Sequence, residues 1–359
     1  MTERLKVTIG DVELANPIVC GAGEHLIEPS GVEAAIAAGA GAVVVKSANE
    51  SEAARRQLAH TDYALLGPGF ERLDWTHDRI ADASLLNRSG LFPGTLDEWI
   101  EMTASLVAAA GDTVVIPSVI PGDPEVAPEL CGRVVAETQC RVLELNTGAP
   151  HGREATDGAI TLVTETDRLA ALVAAVRCEV DVPIWLKLTS QTDDVAALAA
   201  AAFDAGAAAV TLMGRHMAFL PDLDTQAPVL GTFAAYGGQW ALPLTCRWLA
   251  LTRALVGPER PLLATNGART GLDVARFLLA GASAVQMNTA VFAGGFGAIT
   301  DAIAELDRYL LDHGDTASAL IGRAADRIGT YTDQPADPQA WQRFVPQESR
   351  PATSTRSDR

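Results

Sequence analysis

Aromatic residues are scarce in this chain of 359 residues, at 5%. Small aliphatic side chains must therefore fill the core, as they do between packed helices and parallel strands. Cysteines are few: Cys20, Cys131, Cys140, Cys178 and Cys246 are an odd number with no C-x-x-C spacing. That argues against a disulfide framework and a zinc site, so no metal is expected, and it leaves reduced thiols in a cytoplasmic protein. Basic residues are outnumbered, 27 against 45 acidic, for a formal net charge of −18. Such a surface repels phosphate backbones and anionic membranes, which disfavours nucleic-acid and membrane partners. A local pocket can still receive a small anion against that global field. No apolar run approaches the roughly 20 residues of a membrane helix. The opening MTERLKVTIGDVELANP lacks the apolar core of a signal peptide. No G-x-G-x-x-G opens the first strand–helix unit, which disfavours a dinucleotide-binding sheet.

What is present is a repeat. LKVTIGDVELANP alternates apolar and polar residues about a Gly-Asp turn and reads as a short β-hairpin. Eight short apolar runs follow: PIVC (17–20), AVVVK (42–46), TVVIPS (113–118), VLELN (142–146), PIWLK (183–187), AAVTLM (208–213), PLLAT (261–265) and SAVQM (283–287). Near-continuous runs of this kind are strands buried on both faces. Ala/Leu-rich helical stretches separate them, and GVEAAIAAGAGA, DVAALAAAAFDAGAAA and GLDVARFLLAGASA each carry Ala-Gly before the next strand. That is C-cap chemistry at a helix–strand loop. The pattern predicts an α/β chain with a (β/α)₈ TIM barrel over residues 1–332, a short N-terminal hairpin and long loops at the C-terminal face. Residues 47–93 are one such loop, of a length usually found in a lid or site wall. Residues 333–359, rich in Pro, Ser and Arg, read as a flexible or partner-bound tail.

Chemistry in such a barrel sits where the strands end, at the C-terminal face. Lys46, Asn146 and Lys187 end the second, fourth and fifth runs. A lysine closing an apolar run is costly to bury without an anionic partner, unless it snorkels from the rim to water. Two lysines and an asparagine at three strand ends favour function. Thr265-Asn266-Gly267-Ala268 and Asn288-Thr289-Ala290 follow the seventh and eighth runs, the habitual phosphate-binding position of these barrels. Glycine lets the backbone approach an anion, and a helix N-terminus offers it free N–H groups. Ordinary turn chemistry is the competing account of these residues.

ELANPIVCGAG is similar to the hairpin and first strand of dihydroorotate dehydrogenases and of the flavin domain of dihydropyrimidine dehydrogenases. GAGAVVVKS, LLNRSGL, LELNTGAPHG, VPIWLKL, AYGGQWALP and TNGARTGLDVARFLLAGASAVQMNTA follow in the family's order. The resemblance covers nearly all of residues 8–330. It implies FMN at the barrel mouth and a small-molecule substrate. Lys187 then lies near the flavin N1–C2=O edge, where negative charge gathers on reduction, and Lys46 lies by the ring and the substrate. Ala22, Gly23 and Ser47 lie along the flavin. Gly238, Gly267, Ala268, Asn288 and Thr289 hold its phosphate and ribityl end. Asn87 and Asn146 match the amides that grip a planar substrate, Asn146 also touching the cofactor. Further copies of the chain, in a homodimer or larger homo-oligomer, are the other partners expected.

The substrate half departs from the family. Its strand-four loop usually reads Asn-x-Ser-Cys-Pro-Asn, with Cys or Ser as the base. Here the loop is Asn146-Thr147-Gly148-Ala149-Pro150-His151, so an alanine stands at the base position. After the sixth run the family often supplies Asn-Thr or Asn-Ser, whereas this chain has Met213-Gly214-Arg215-His216. His151 becomes the first candidate acid/base, His216 the second and Cys20 the third, because imidazole suits proton transfer near neutral pH. A loop histidine without a catalytic role is the plainer account of His151. Arg215 is a candidate partner for a substrate carboxylate, with a surface salt bridge as its alternative. The reading is an FMN-dependent oxidoreductase moving hydride to or from a small polar heterocycle or amino-acid-like compound. Its alternatives are a true dihydroorotate or dihydropyrimidine dehydrogenase with an atypical base, a flavin-binding module without turnover, and a non-redox phosphate-binding isomerase or aldolase. RNA-reducing dihydrouridine synthases share flavin and barrel, but they need a basic groove.

Overall fold

Following the chain through a computed structural model, which describes residues 2–75, 82–148 and 163–350, each apolar run becomes one stave of a barrel. Strands β1 (Val7–Ile9) and β2 (Val12–Leu14) form the hairpin, turning at Gly10, whose φ of 59° suits a residue without Cβ. Then come β3 (Ile18–Cys20) and β4 (Ala42–Val44). The excursion carries β5 (Asp62–Leu66), β6 (Arg72–Leu73) and β7 (Ser84–Arg88). The third stave is split into β8 (Val114–Ile116) and β9 (Ser118–Val119) by Pro117, which has no N–H to give the ladder. Next are β10 (Leu143–Asn146), β11 (Ile184–Lys187) and β12 (Ala209–Leu212), a second pair β13 (His216–Ala218) and β14 (Ala234–Gly237), and finally β15 (Leu262–Thr265) and β16 (Ala282–Met287).

The nine-stranded sheet runs β8-β4-β3-β16-β15-β12-β11-β10-β9, parallel throughout. Its two ends are halves of one chain segment, so the eight staves close on themselves. Helices Pro29–Ala37, Leu96–Ala109, Ala127–Thr138, Thr166–Glu179, Val195–Asp204, Leu242–Val256, Gly271–Leu279 and Gly297–His313 each follow a stave, which makes this a (β/α)₈ TIM barrel. Three of the expected Ala-Gly stops are visible as C-caps, with Gly39, Gly206 and Gly281 at φ of 90°, 106° and 114°. The staves are buried and mostly aliphatic, and Trp99, Trp185 and Phe277 are the largest fully buried side chains.

The excursion does more than wall the mouth. β5, β6 and β7 join β14 and β13, from the loop after the sixth stave, in an antiparallel sheet ordered β13-β14-β7-β5-β6. Two C-terminal-face loops thus brace each other by backbone hydrogen bonds rather than hanging separately. The chain divides into compact units Met1–Asp326 and Arg327–Arg359. The described part of the second carries short 3-10 turns and no buried residue.

Candidate active site

The C-terminal ends of the staves open into a cavity of about 520 Å³. Pockets of roughly 300–1,000 Å³ hold ligands of nucleotide or drug size. Its wall includes Ala22, Lys46, Ser47, Asn146, Lys187, Arg215, Gly238, Gly267, Ala268, Asn288 and Thr289, drawn from every part of the barrel rim. Of the residues marked out by sequence, these converge. Asn87, His216 and Gly23 do not reach the wall, and His151, with Ala149, lies outside the described residues.

One end of the cavity is backbone. Gly267 sits at φ 142°, and a Cβ there would meet the Leu242 Cα at 2.7 Å and its nitrogen at 2.8 Å. No other residue fits without moving a helix. Gly267 and Ala268 both line this end, and their N–H groups have no partner among the described residues. Asn266, in the left-handed region at φ 64°, ties the loop to its neighbour by accepting from the Gly238 N–H at 3.3 Å. The first turn of helix Gly271–Leu279 contributes less than the sequence implied. Thr270 and Asp273 form a capping box, Asp273 also takes the Arg269 N–H at 3.0 Å, and Glu305 takes the Leu272 N–H at 3.2 Å. Asn288 donates to the Ala22 carbonyl at 2.5 Å, joining this end to the first stave. Gly23 leaves room for that amide and for the His25 ring, which a Cβ would meet at 2.8 and 2.6 Å.

The floor is a polar chain across the barrel. Lys187 Nζ donates to Gln286 Oε1 at 2.7 Å, and Gln286 Nε2 donates to Glu144 Oε2 at 2.7 Å. Ser118 donates to Glu144 Oε1 at 2.7 Å and lies 2.8 Å from the Ser47 hydroxyl. Burial pushes the Lys187 pKa down and Arg215 adds to this, while Glu144, 3.9 Å away, pulls it up.

The mouth is built of charged side chains. Lys46, 5% exposed, gives a 3.0 Å ion pair with Glu24, and Trp99 Nε1 donates to its carbonyl at 2.8 Å. Glu24 also accepts from the Tyr63 hydroxyl and from the Gly90 N–H at 3.1 Å, clamping the excursion onto the barrel. Burial alone would raise the Glu24 carboxyl; Lys46 and Tyr63 outweigh it and hold it at about 2. For Lys46 burial outweighs the same ion pair, and Arg215 and Lys187 add to it, leaving the ammonium below its ordinary value. Arg215 donates to Asn87 Oδ1 and, at 3.1 Å, to the Ser89 hydroxyl. The guanidinium therefore stands between the cavity and Asn87, whose Nδ2 is buried without a partner.

The remaining proton-transfer candidates are sequestered. His216 is half-buried against Trp240, 5.4 Å between ring centres, and burial lowers its pKa. Cys20 lies 3.5 Å from His25, with burial driving the thiol up to about 12 and the imidazole down to about 3. Sequence reasoning missed Glu24, Glu144 and Gln286. Glu144 and Gln286 had a signal: a polar side chain inside LELN and SAVQM must be partnered if the strand is buried on both faces.

The site is thus the mouth of a closed barrel with lysines at two stave ends and Gly- and Asn-bearing loops after the last two staves. A family model described as dihydroorotate dehydrogenase matches residues 80–310. The chain is similar to the catalytic subunit of dihydroorotate dehydrogenase B (NAD(+)) of Pyrococcus abyssi, 28% identical over 325 residues, covering 89% of this chain and 99% of that protein. The corresponding subunit of Thermococcus kodakarensis is 28% identical over 330 residues, covering 90% and 99%. That of Desulforudis audaxviator is 31% identical over 226 residues, covering 62% and 68%. The chain belongs to the dihydroorotate dehydrogenase family and is an FMN-dependent oxidoreductase. The unpartnered N–H groups of Gly267 and Ala268, the close approach at Gly267 and the Lys187 ammonium fit that cofactor.

Proposed function

We propose that this enzyme moves hydride between FMN and a small, unsaturated polar substrate that carries a carboxylate held by Arg215. FMN supplies the hydride-accepting and hydride-donating ring. In this reading Gly267, Ala268, Gly238, Asn288 and Thr289 hold its phosphate and ribityl end. Ala22, Ser47 and Asn146 line the ring, and Lys187 faces its N1–C2=O edge. Lys46 borders ring and substrate, and His151 is the candidate proton-transfer group.

One observation carries the substrate class. Lys46 and Lys187 each have a glutamate of their own within 4 Å, whereas Arg215 reaches Asn87, Ser89 and Tyr63, feels Glu24 only at longer range, and has no carboxylate within ion-pair distance among the described residues. A half-buried guanidinium with no carboxylate in direct contact can take one that arrives. Orotate and uracil, alike except for the carboxylate, test this through perturbation of the bound flavin spectrum. Orotate should bind more tightly than uracil, and Arg215→Met should weaken orotate roughly 10–100-fold with little effect on uracil, the worth of a charged hydrogen bond. Equal affinity of the two ligands, or an unchanged orotate affinity in the variant, would remove Arg215 from this role.

The names and near-complete coverage of the relatives favour a second reading, dihydroorotate oxidation with His151 as a replacement base. Ala149 opposes it, since positioned base catalysis is worth about 10²–10⁴-fold. Anaerobic mixing with dihydroorotate separates the two. Slow bleaching of the flavin supports a different substrate; rapid bleaching abolished by His151→Ala supports the second reading. We further infer a cytoplasmic homo-oligomer. All five cysteines are free, no helix among the described residues is long and apolar enough to cross a membrane, and Phe219, Leu223 and Phe233 leave apolar surface uncovered on the loop after the sixth stave.

A further inference from the structure

Glu144 is 1% exposed inside the barrel, below the cavity rather than in its wall. A carboxylate this deep must be strongly compensated, and both its oxygens accept short hydrogen bonds, from Ser118 and Gln286. Yet neither donor carries charge. The only cation in reach among the described residues is Lys187, 3.9 Å from Oε2 and bridged to it by Gln286. Gln286 is oriented by this: its carbonyl oxygen takes the ammonium and its amide group gives to the carboxylate. The side chains come from three separate staves, β10, β11 and β16, so the arrangement is fixed by the barrel and not by a flexible loop.

We propose that Glu144 is a positioning residue which, through Gln286, keeps the Lys187 side chain charged and aimed into the floor of the cofactor cavity. This rests on the assignment of that floor to FMN. Groups facing Lys187 are of both signs: burial opposes its ammonium form, Glu144 favours it and Arg215 opposes it, while Lys187 and Lys46 repel each other, which lowers Lys46. Without Glu144 the opposing influences stand alone. The lysine then discharges at a lower pH, and the reduced flavin loses the counter-charge that Lys187 would give it. A glutamate that served only barrel packing would have no such consequence.

The test reads the ratio of reduced to oxidised FMN in the purified holoenzyme against a reference dye, across about pH 6–9.5. Lys187→Met should lower the ratio relative to the parent at every pH. Glu144→Gln should lie close to the parent at the acid end and fall toward Lys187→Met as pH rises. The expected fall is about tenfold, which is about 30 mV for a two-electron couple. In a Lys187→Met background Glu144→Gln should change nothing further. A Glu144→Gln ratio matching the parent at all pH values, or displaced equally at all of them, would overturn the proposal. So would an equal effect in the presence and absence of Lys187. If Glu144→Gln does not fold or retain FMN, Gln286→Met, which removes the bridge, carries the test with a smaller fall of the same pH dependence; a Gln286→Met ratio equal to the parent would then overturn it. Flavin content, measured on the same samples, separates this result from failure of the FMN assignment, which would leave no flavin to titrate.

Discussion

Replacing Glu24 with Gln should destabilise the protein at neutral pH far more than a surface substitution would. Glu24 is the single acceptor shared by Lys46, Tyr63 and Gly90, with a side chain 16% exposed. Its carboxyl is held at about 2 against an ordinary 4.5. At about 1.4 kcal/mol for each tenfold change in acidity, that depression amounts to roughly 3 kcal/mol. Part is offset by the cost of keeping Lys46 buried, so about 3 kcal/mol is the ceiling. A carboxyl depressed by folding contributes fully above its unfolded value, near 4.5, and loses that contribution as pH falls through about 2. The difference between parent and Glu24→Gln should thus be largest near neutrality and shrink in acid. It should also narrow in alkali, where the bare Lys46 of the variant can release its proton. Urea unfolding at about pH 4, 7 and 9.5 measures the difference, and Lys46→Met in the variant background should recover part of it. A difference below about 0.5 kcal/mol at neutral pH, or one unchanged in acid, would refute the reasoning.

The purified protein should release one equivalent of a compound absorbing near ~450 nm on denaturation, after reconstitution with FMN; none would contradict the cofactor assignment. Gly267→Ala should lose FMN and cost about 2–4 kcal/mol, because its Cβ meets backbone at 2.7 Å; flavin content and Tm report both. Lys187→Ala should bind FMN more weakly or slow its reduction, visible in anaerobic stopped flow, and unchanged content and rate would make that lysine purely structural. Ser89→Ala removes a neutral partner of Arg215 and should raise KM for an anionic substrate more than it lowers kcat.

The barrel was legible because a stave buried on both faces is written as an unbroken apolar run, and because Ala38-Gly39, Ala205-Gly206 and Ala280-Gly281 mark where helices stop. The second sheet was not legible. β14 reads AAYG and pairs with β7, which lies on the far side of four barrel staves in sequence, so no local alternation announces either partner. Strand-end residues such as Lys46, Asn146 and Lys187 were found because position in the barrel singles them out. Glu24 follows a stave in GAGEH without any periodic mark, and its importance depends on Tyr63 and Gly90 arriving from the excursion. The resemblance gave Asn87 to the substrate; here its Oδ1 is taken by Arg215, a contact between residues of two different loops that only the folded chain reveals.

The two ends of the cavity are made of different material, and this bears on how far likeness can be carried. At the Gly267 end the groups left unpartnered among the described residues are main-chain N–H, and the demand on sequence is chiefly for absence of a side chain. Such a site survives extensive substitution elsewhere, since any sequence that preserves the loop path preserves the donors. At the Arg215 end every contact is a side chain, so one substitution rewrites the charge and shape of the pocket. At 28% identity the first kind of site is retained much more readily than the second. Kinship therefore speaks strongly for the cofactor and weakly for the substrate. Arg215 falls in the half of the cavity where kinship is the weaker guide.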